Sequence, residues 1–213
     1  MFIELIDSLR CTNDHADSWL VASIVRRDDR FVTEGELGCP ICLREYPIEH
    51  GVVWFGPREQ HGPSTIAADD PTMMDMSGPE GAVRIGAFLN VAEGAAVLLG
   101  GTWARSAHAL SELIPLRIFV LNSSDPIDES MTVGVVMSSE GIPLAPGMLR
   151  GVALDTATAT PAALTSATKV LAPGGRLVAP ADVAIPDDVA VLARDENFWV
   201  AEKRPPLISL VRR

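Results

Sequence analysis

The sequence predicts an α/β protein with a small N-terminal domain, and three observations support this prediction. All 3 cysteines of the chain lie before residue 43. Proline, glycine and acidic residues are frequent between Gly56 and Glu80, as in a linker between domains. Beyond that stretch, short apolar runs alternate with segments of helical spacing, which is the pattern of a largely parallel sheet. We therefore expect a small α+β domain at 1–56, a linker at 57–80 and a larger α/β domain at 81–213.

The elements of the larger domain follow from apolar spacing and turn residues. Helices are predicted at 82–92, 102–113 and 160–171, and strands at 95–99, 116–121, 131–137, 149–154 and 176–179. Thr160 followed by Pro161 is typical of a helix start. Gly174 and Gly175 are expected to end that helix before the next strand. Two further apolar runs, at 197–201 and 207–211, predict a closing hairpin.

Charge and apolar pattern exclude several classes of protein. The chain of 213 residues has a formal net charge of −11, which opposes direct binding to a nucleic-acid backbone. The N-terminal sequence MFIELIDSLR contains acidic residues, unlike a secretory signal. The most apolar long stretch, 81–101, is interrupted by Arg84, Asn90 and Glu93, so no membrane span is predicted. An odd number of cysteines argues against a disulfide framework, and we expect a cytoplasmic protein.

The cysteines fall into a pattern that predicts a metal site. Cys39 and Cys42 flank a Pro-Ile pair, a knuckle that can direct two thiolates at one ion. Cys11 and His15 lie close together in the segment LRCTNDH. Three thiolates and one imidazole suit tetrahedral zinc, and four protein ligands leave no open position for a catalytic water. We therefore predict a structural zinc bound by Cys11, His15, Cys39 and Cys42.

The fourth ligand is the open choice within this set. Asp14 offers a carboxylate oxygen beside His15, and His50 offers a second imidazole further along the chain. The other histidines, His61 in the linker and His108 on a predicted helix, are expected to be solvated. The alternative to a metal site is three unrelated thiols, because cysteine is often simply buried.

The segments LRCTNDH and GELGCPICLREYPIEHGVVWF resemble the small zinc-ribbon proteins that activate methyltransferases of transfer RNA, ribosomal RNA and release factors. The matching positions are Cys39, Cys42, Tyr46, Pro47, Ile48 and Gly51. The first segment departs from the family, which has a cysteine at the position of Asp14. The resemblance covers about residues 1–55 and implies a zinc-ribbon domain. The sequence VVWF at 52–55 is expected either as the last strand of this ribbon or as an apolar contact with the second domain.

The segment at 141–180 resembles the second half of class I S-adenosylmethionine-dependent methyltransferases. Its LAPGGRL sequence, from Leu171 to Leu177, matches the family's turn into the fifth strand. The resemblance implies a Rossmann-like, mostly parallel sheet with a C-terminal hairpin. In such a sheet, ligands lie beyond the carboxyl ends of the strands.

The same resemblance implies a cofactor site. Gly100 and Gly101, after the first strand, would let the backbone approach S-adenosylmethionine, and Asn122, after the second strand, would contact its ribose. The family has acidic residues where this chain has Leu99 and Asn122. Asp155, after the fourth strand, is a weak catalytic candidate, and its simpler interpretation is a bond to the amides of the following turn.

The missing acidic residues and the bulky Trp103 after the glycines favour a protein without catalytic activity. We expect a zinc-binding scaffold or regulator in which the ribbon packs on, or presents, a degenerate methyltransferase-like domain. The alternative is an active S-adenosylmethionine-dependent methyltransferase acting on a small molecule or a protein. A module that binds another small ligand at the same place is a third hypothesis. The expected partner is a protein or a second copy of the chain, with no direct nucleic acid and no membrane.

Overall fold

The computed structural model describes residues 1–57 and 78–205. The strands in these ranges are β1 (Val21–Asp28), β2 (Phe31–Gly38), β3 (Glu45–Glu49), β4 (Val52–Phe55), β5 (Ala96–Gly100), β6 (Arg117–Leu121), β7 (Val133–Ser138), β8 (Leu149–Ala153), β9 (Leu171–Pro180), β10 (Val189–Arg194) and β11 (Phe198–Lys203). The helices are α1 (Ile3–Ile6), α2 (Gly78–Leu89), a 3₁₀ helix (Gly101–Ser106), α3 (Ala107–Leu113) and α4 (Pro161–Val170).

The strands of the described residues form one sheet, in the order β1-β2-β3-β4-β7-β6-β5-β8-β9-β11-β10. The strands from β4 to β9 in this order are parallel to one another. Antiparallel ribbons flank them, with β1 to β3 on one side and β11 and β10 on the other. The direction of strand order reverses between β5 and β8. A sheet of this kind binds ligands at that point, beyond the carboxyl ends of the strands.

Strand β4 joins the N-terminal ribbon to the parallel strands. It pairs antiparallel with β3, where Val53 lies opposite Ile48. It also pairs parallel with β7, where Val53 lies opposite Val136 and Phe55 opposite Ser138. Residues 52–55 therefore pair with the antiparallel strands on one edge and with the parallel strands on the other, while the assignment of the N-terminal strands to a zinc ribbon stays a prediction. Residues 58–77 of the predicted linker lie outside the described residues, and the division into separate domains stays a prediction.

Helices cover both faces of the central sheet. The alternation within β5 shows how the two cores arise: Val97 and Leu99 pack in the core that contains Ile85 of α2, whereas Leu98 packs in the core that contains Leu164 of α4. All residues of β5 are buried, as expected for a parallel strand covered on both faces. Within the described residues, no helix has the length and apolar character needed to cross a membrane.

Most predicted elements of the larger part are confirmed. The runs at 95–99, 116–121, 131–137 and 149–154 correspond to β5, β6, β7 and β8, and the helix at 82–92 corresponds to α2. The predicted start of α4 is also correct, because the side chain of Thr160 accepts a hydrogen bond from the backbone of Ala163 and Pro161 occupies the first helical position. The segment at 102–113 begins as the 3₁₀ helix and becomes α-helical only at Ala107.

The prediction that Gly174 and Gly175 end a helix is wrong. Helix α4 ends at Val170, and β9 begins at Leu171 and continues through both glycines. The pairing with β8 jumps from Leu149 opposite Leu171 to Gly151 opposite Arg176, so the glycines lie in a bulge of β9. Gly174 has a φ of +74°, which glycine adopts without strain.

The predicted closing hairpin exists with a different partner strand. β11 contains the predicted run at 197–201, but it pairs with β10, which precedes it, and with β9. Strand β10 was not predicted, although residues 189–193 form an unbroken apolar run; it is an edge strand in which the residues after Ala190 are exposed. The other predicted strand, at 207–211, lies outside the described residues.

Candidate metal centre and cofactor site

The predicted metal ligands converge on one point. The ligand atoms of Cys11, His15, Cys39 and Cys42 all lie within 4.8 Å of one another. Cys39 and Cys42 lie in the turn between β2 and β3, and Cys11 and His15 lie in the loop that precedes β1. The Cys11 and Cys42 sulfur atoms are 3.6 Å apart, and the Cys39 sulfur lies 3.3 Å from Nε2 of His15.

These distances fit a tetrahedral metal. With zinc–sulfur bonds of about 2.3 Å and zinc–nitrogen bonds of about 2.0 Å, two sulfur ligands are about 3.8 Å apart and a sulfur and a nitrogen about 3.5 Å. All three thiols are free, and the separation of the Cys11 and Cys42 sulfurs is well beyond the roughly 2.05 Å of a disulfide. The donor set and its spacing therefore suit a closed four-coordinate site.

Neighbouring groups orient the ligand side chains. Nδ1 of His15 lies 2.7 Å from the carbonyl oxygen of Ala16, which leaves Nε2 facing the cysteines. Such a contact selects the tautomer and ring orientation of a ligating histidine. The side-chain amide of Asn13 donates to the Cys42 sulfur at 3.2 Å, and its backbone N–H donates to the Cys11 sulfur at 3.4 Å. Asn13, between Cys11 and His15, thus bonds one cysteine from each of the two segments that form the site.

The cysteine turn is built by backbone bonds. The N–H of Cys39 donates to the carbonyl of Arg44, and the N–H of Leu43 donates to the carbonyl of Cys39. Bonding to the Arg44 backbone is the largest of several effects that lower the pKa of the Cys42 thiol to about 6. At neutral pH this thiol is therefore largely the thiolate, which is the form that binds a metal. Desolvation raises the pKa of the Cys11 thiol.

Tyr46 and Glu140 connect the metal site to the sheet. The hydroxyl of Tyr46 lies 3.0 Å from the Cys11 sulfur, and the backbone N–H of Thr12 donates to it at 3.3 Å. Burial is the main reason why the pKa of Tyr46 is raised to about 12. Glu140, which follows β7, accepts from the hydroxyl of Thr12 at 2.6 Å and forms an ion pair with Arg44 at 2.5 Å. The loop before β1 and the β2–β3 turn, which carry the metal ligands, are therefore both bonded to the residue that follows β7 closely in the chain.

The alternative fourth ligands are not part of the cluster. Among the described residues, the cluster that could hold a metal includes neither Asp14 nor His50. His50 lies in the turn between β3 and β4, with a φ of +51°. His108 is exposed on α3, as expected for a solvated histidine. His61 lies outside the described residues.

Asp155 lies in the turn after β8, where its carboxylate contacts the glycine turn that follows β5. One of its carboxylate oxygens accepts from the backbone N–H of Thr102 at 2.8 Å and from the Thr102 hydroxyl at 3.1 Å. The other oxygen accepts from the backbone N–H of Thr158 at 2.9 Å and from the Thr158 hydroxyl at 2.7 Å. A Cβ atom added at Gly101 would clash with this carboxylate, so the glycine is needed for the close approach. Asp155 is 5% exposed, and it ties the start of the 3₁₀ helix to the loop after β8.

The side chain of Asn122 is also bonded within the protein. Its amide nitrogen donates to the Ser138 carbonyl at 2.7 Å, and its amide oxygen accepts from the Ser138 backbone N–H at 2.7 Å. These bonds link the carboxyl ends of β6 and β7. Trp103 is fully buried in the core beside α2 and α3, with its ring 5.1 Å from that of Phe198.

Sequence reasoning missed the groups that hold these candidates in place, namely Thr102, Thr158, Ser138, Asn13 and Glu140. One local signal was available, because a threonine placed three residues after an aspartate is a common way to close a turn by side-chain bonds. The remaining contacts join positions far apart in the chain, such as Thr12 with Glu140.

No protein-family model matches this sequence, and no curated protein matches it either. Among solved structures, the chain is similar to geranyl diphosphate C-methyltransferase from Streptomyces coelicolor, with 12% identity over 47% of this chain and 44% of that chain and a TM-score of 0.38. It is also similar to the antibiotic-resistance methyltransferase Kmr, with 13% identity over 59% of this chain and 93% of that chain and a TM-score of 0.36.

A third similar structure is a complex from Haloferax volcanii between the Trm112 methyltransferase activator and a methyltransferase. The identity is 13% over 60% of this chain and 90% of that chain, with a TM-score of 0.46. The chain spans less than half the length of the geranyl diphosphate methyltransferase that it matches. These likenesses concern the arrangement of helices and strands. The α/β fold with its mostly parallel central sheet follows from the strand order and pairing of this chain itself.

Proposed function

We propose that this chain is a zinc-binding, methyltransferase-like protein that acts as a scaffold or regulator and does not catalyse methyl transfer. The convergence of Cys11, His15, Cys39 and Cys42 supports the metal part of the proposal. Bound zinc would supply a structural cross-link between the loop before β1 and the β2–β3 turn. Three free thiols also suit the reducing cytoplasm, where we place the protein.

The N-terminal part serves, in this proposal, as a built-in zinc ribbon. The activators that it resembles dock on methyltransferase domains, and strand addition is a general way to make such a contact. Here β4 extends the parallel sheet beside β7, and Glu140 bonds Thr12 and Arg44 of the metal loop. Docking within one chain has a high effective concentration, so it needs little binding free energy. The proposed partner is a protein, since the net charge of −11 opposes a bare nucleic acid.

The single observation that carries the non-catalytic part is the position of Asp155. The N–H of Thr102, at the start of the 3₁₀ helix, is the kind of group that meets a ligand at a glycine turn. In this chain that N–H already donates to Asp155, and both polar atoms of the Asn122 side chain are bonded to Ser138. A cofactor would have to displace these internal bonds, and a buried carboxylate that loses its donors costs several kcal/mol, of the order of 2–3 for each charged bond.

The metal part is tested by measuring zinc content and affinity. We expect about one zinc per chain by elemental analysis, because the four ligands form one closed shell. His15→Ala removes one ligand and should weaken zinc binding by more than the roughly 10–100-fold typical of losing a supporting contact. His108→Ala is the matched control, since His108 is exposed on α3. Absence of zinc from the purified wild-type protein, and failure to bind added zinc, would overturn this part.

The non-catalytic part is tested by titrating S-adenosylmethionine and S-adenosylhomocysteine into the zinc-loaded protein in a calorimeter. We expect no heat of binding and no thermal shift up to millimolar concentrations of either compound. One-to-one binding in the micromolar range would contradict the proposal. It would favour the alternative function, a methyltransferase acting on a small molecule or a protein, and would justify a search for the acceptor.

A further inference from the structure

The thiols of the metal cluster lie close enough for a disulfide to form, and their exposure distinguishes Cys11 and Cys42 from the buried Cys39. The Cys11 and Cys42 sulfurs lie 3.6 Å apart, so a disulfide of about 2.05 Å requires them to approach by only about 1.5 Å. Cys42 is exposed in the β2–β3 turn, Cys11 is half-buried, and Cys39 is only 2% exposed. The β2–β3 turn that carries Cys42 also contains Leu43, an exposed residue with a φ of +60°.

We infer that the metal site is a reversible redox switch in which a hydroperoxide converts Cys11 and Cys42 into a disulfide and releases the metal. The inference rests on the proposed zinc site and adds a modification of two named ligands. The oxidant attacks Cys42 because that thiol is the exposed one, and reactivity of cysteine follows access as well as thiolate character. Cys11 then resolves the oxidised sulfur because it lies 3.6 Å away and is more accessible than the buried Cys39.

The reaction is balanced with one equivalent of hydrogen peroxide. The Cys42 thiolate attacks the peroxide, the O–O bond breaks, and the sulfur becomes a sulfenic acid while the second peroxide oxygen leaves as water after protonation. The Cys11 thiolate then attacks the Cys42 sulfur, the S–O bond breaks, and hydroxide leaves and is protonated to water. Two electrons pass from the two sulfurs to the peroxide, and two protons come from solvent. A disulfide sulfur is a poor ligand, so the metal keeps only Cys39 and His15 and dissociates.

Cys39 is protected from this chemistry by its surroundings. Its sulfur is buried and lies 3.3 Å from Nε2 of His15. Its backbone is held by the two bonds that build the turn, to Arg44 and from Leu43. The sulfur of Cys42, by contrast, is reached from solvent and is supported by the side chain of Asn13, which also bonds Cys11 through its backbone. The same loop residue therefore holds the two reacting sulfurs together.

Trypsin digestion separates the pairings, because cleavage after Arg10, Arg26, Arg30 and Arg44 puts Cys11 on one peptide and Cys39 with Cys42 on another. The zinc-loaded full-length protein is treated with hydrogen peroxide, its remaining thiols are alkylated, and the digest is analysed by mass spectrometry. A metal-binding dye records zinc release in the same sample. We expect a cross-link between the two peptides, alkylated Cys39 in the fragment spectrum, one zinc released per chain, and recovery of both signals after reduction and addition of zinc.

Other outcomes overturn the inference in distinguishable ways. A protein that holds no zinc before treatment overturns the proposed metal site itself. A loop within the second peptide, joining Cys39 to Cys42, or a cross-link through Cys39, overturns the assignment of the pair while leaving the metal site intact. Zinc that stays bound through several equivalents of peroxide overturns the switch. Cys39→Ser should still form the cross-linked peptides, whereas Cys11→Ser should not, and the wild-type digest decides the case if either variant fails to fold.

Discussion

At the carboxyl end of β8, Asp155 ties two loops together through both oxygens of one carboxylate. Its partners, Thr102 and Thr158, belong to segments more than fifty residues apart, at the start of the 3₁₀ helix and in the turn after β8. A carboxylate that accepts several N–H and O–H bonds in a buried site is worth more than a neutral acceptor. This geometry supports the simpler of the two interpretations that the sequence left open for Asp155.

Asp155→Ala is expected to lower the free energy of unfolding by about 2–3 kcal/mol, because buried donors of both threonines lose their charged acceptor. The measurement is urea denaturation of the zinc-loaded protein. Asp125→Ala is the matched control, since Asp125 forms an exposed ion pair with Arg105 at 2.7 Å and should cost less than about 1 kcal/mol. Equal effects of the two substitutions would mean that the Asp155 bonds contribute no more than a surface ion pair.

Tyr46 contacts Cys11 and Thr12 of the metal site through its hydroxyl oxygen. Tyr46→Phe should weaken zinc binding by roughly 10-fold or more, because the hydroxyl that supports Cys11 and Thr12 is lost. The ring itself packs 4.4 Å from that of Phe55, and this packing is retained by the substitution. Competition with a coloured chelator measures the affinity. The control is the free energy of unfolding measured in excess chelator, which the substitution should change by no more than about 1 kcal/mol. An unchanged zinc affinity would remove the hydroxyl from the supporting role.

Among the elements, β4 connects the antiparallel N-terminal strands to the parallel part of the sheet. It is paired on both edges, with β3 and with β7, and it is the described strand through which the ribbon joins the parallel sheet. Strand β1, by contrast, lies at the edge of the same sheet and pairs only with β2 among the described strands. All residues of β1 are exposed, and its register with β2 is interrupted beside Val25.

Proline substitutions in β4 and in β1 allow the contributions of the two strands to be compared. Val53→Pro should destabilise the protein by about 3 kcal/mol or more, because Val53 is fully buried and lies in a strand paired on both sides. Val25→Pro, in an exposed and irregular part of an edge strand, should cost about 1 kcal/mol or less. Thermal unfolding followed by circular dichroism gives the loss of stability for each variant. Similar losses for the two variants would show that β4 pairing does not hold the parts together.

At the scale of the whole molecule, the ribbon and the larger part share one apolar core. The core on the α1–α4 face includes Leu5 and Tyr46 from the N-terminal part together with Trp199 of β11. Residues that share a core and a sheet are expected to unfold together. The metal site should therefore stabilise more than its own loops, although it lies at one end of the sheet.

Calorimetry of the full chain with and without a zinc chelator tests this expectation. We predict a single unfolding transition that moves to lower temperature when zinc is removed, because a ligand bound only by the folded state stabilises everything that folds with it. Two separate transitions, with only one of them sensitive to the chelator, would contradict the prediction. That outcome would favour the division at 57–80 into independently stable domains.

The sequence by itself determined the features that rest on local chemistry. The apolar runs of β5 to β8 and the Thr160–Pro161 start of α4 are visible without any knowledge of the fold, since burial on both faces and helix capping leave local patterns. The metal-site candidates were also visible, because a paired cysteine knuckle and a Cys–His segment form a rare combination in a chain with only 3 cysteines and 4 histidines.

Only the tertiary structure decided how these pieces meet. It brought Cys11 and His15 to Cys39 and Cys42, which favours His15 over Asp14 as the fourth ligand. It also placed β10 at a sheet edge and carried β9 through Gly174, whose positive φ is accommodated in a bulge between the residues that pair with β8. The bonds of Asp155, Asn122 and Glu140 join loops that are distant in sequence. Their partners depend on which strand ends lie side by side, and that is a property of the folded sheet.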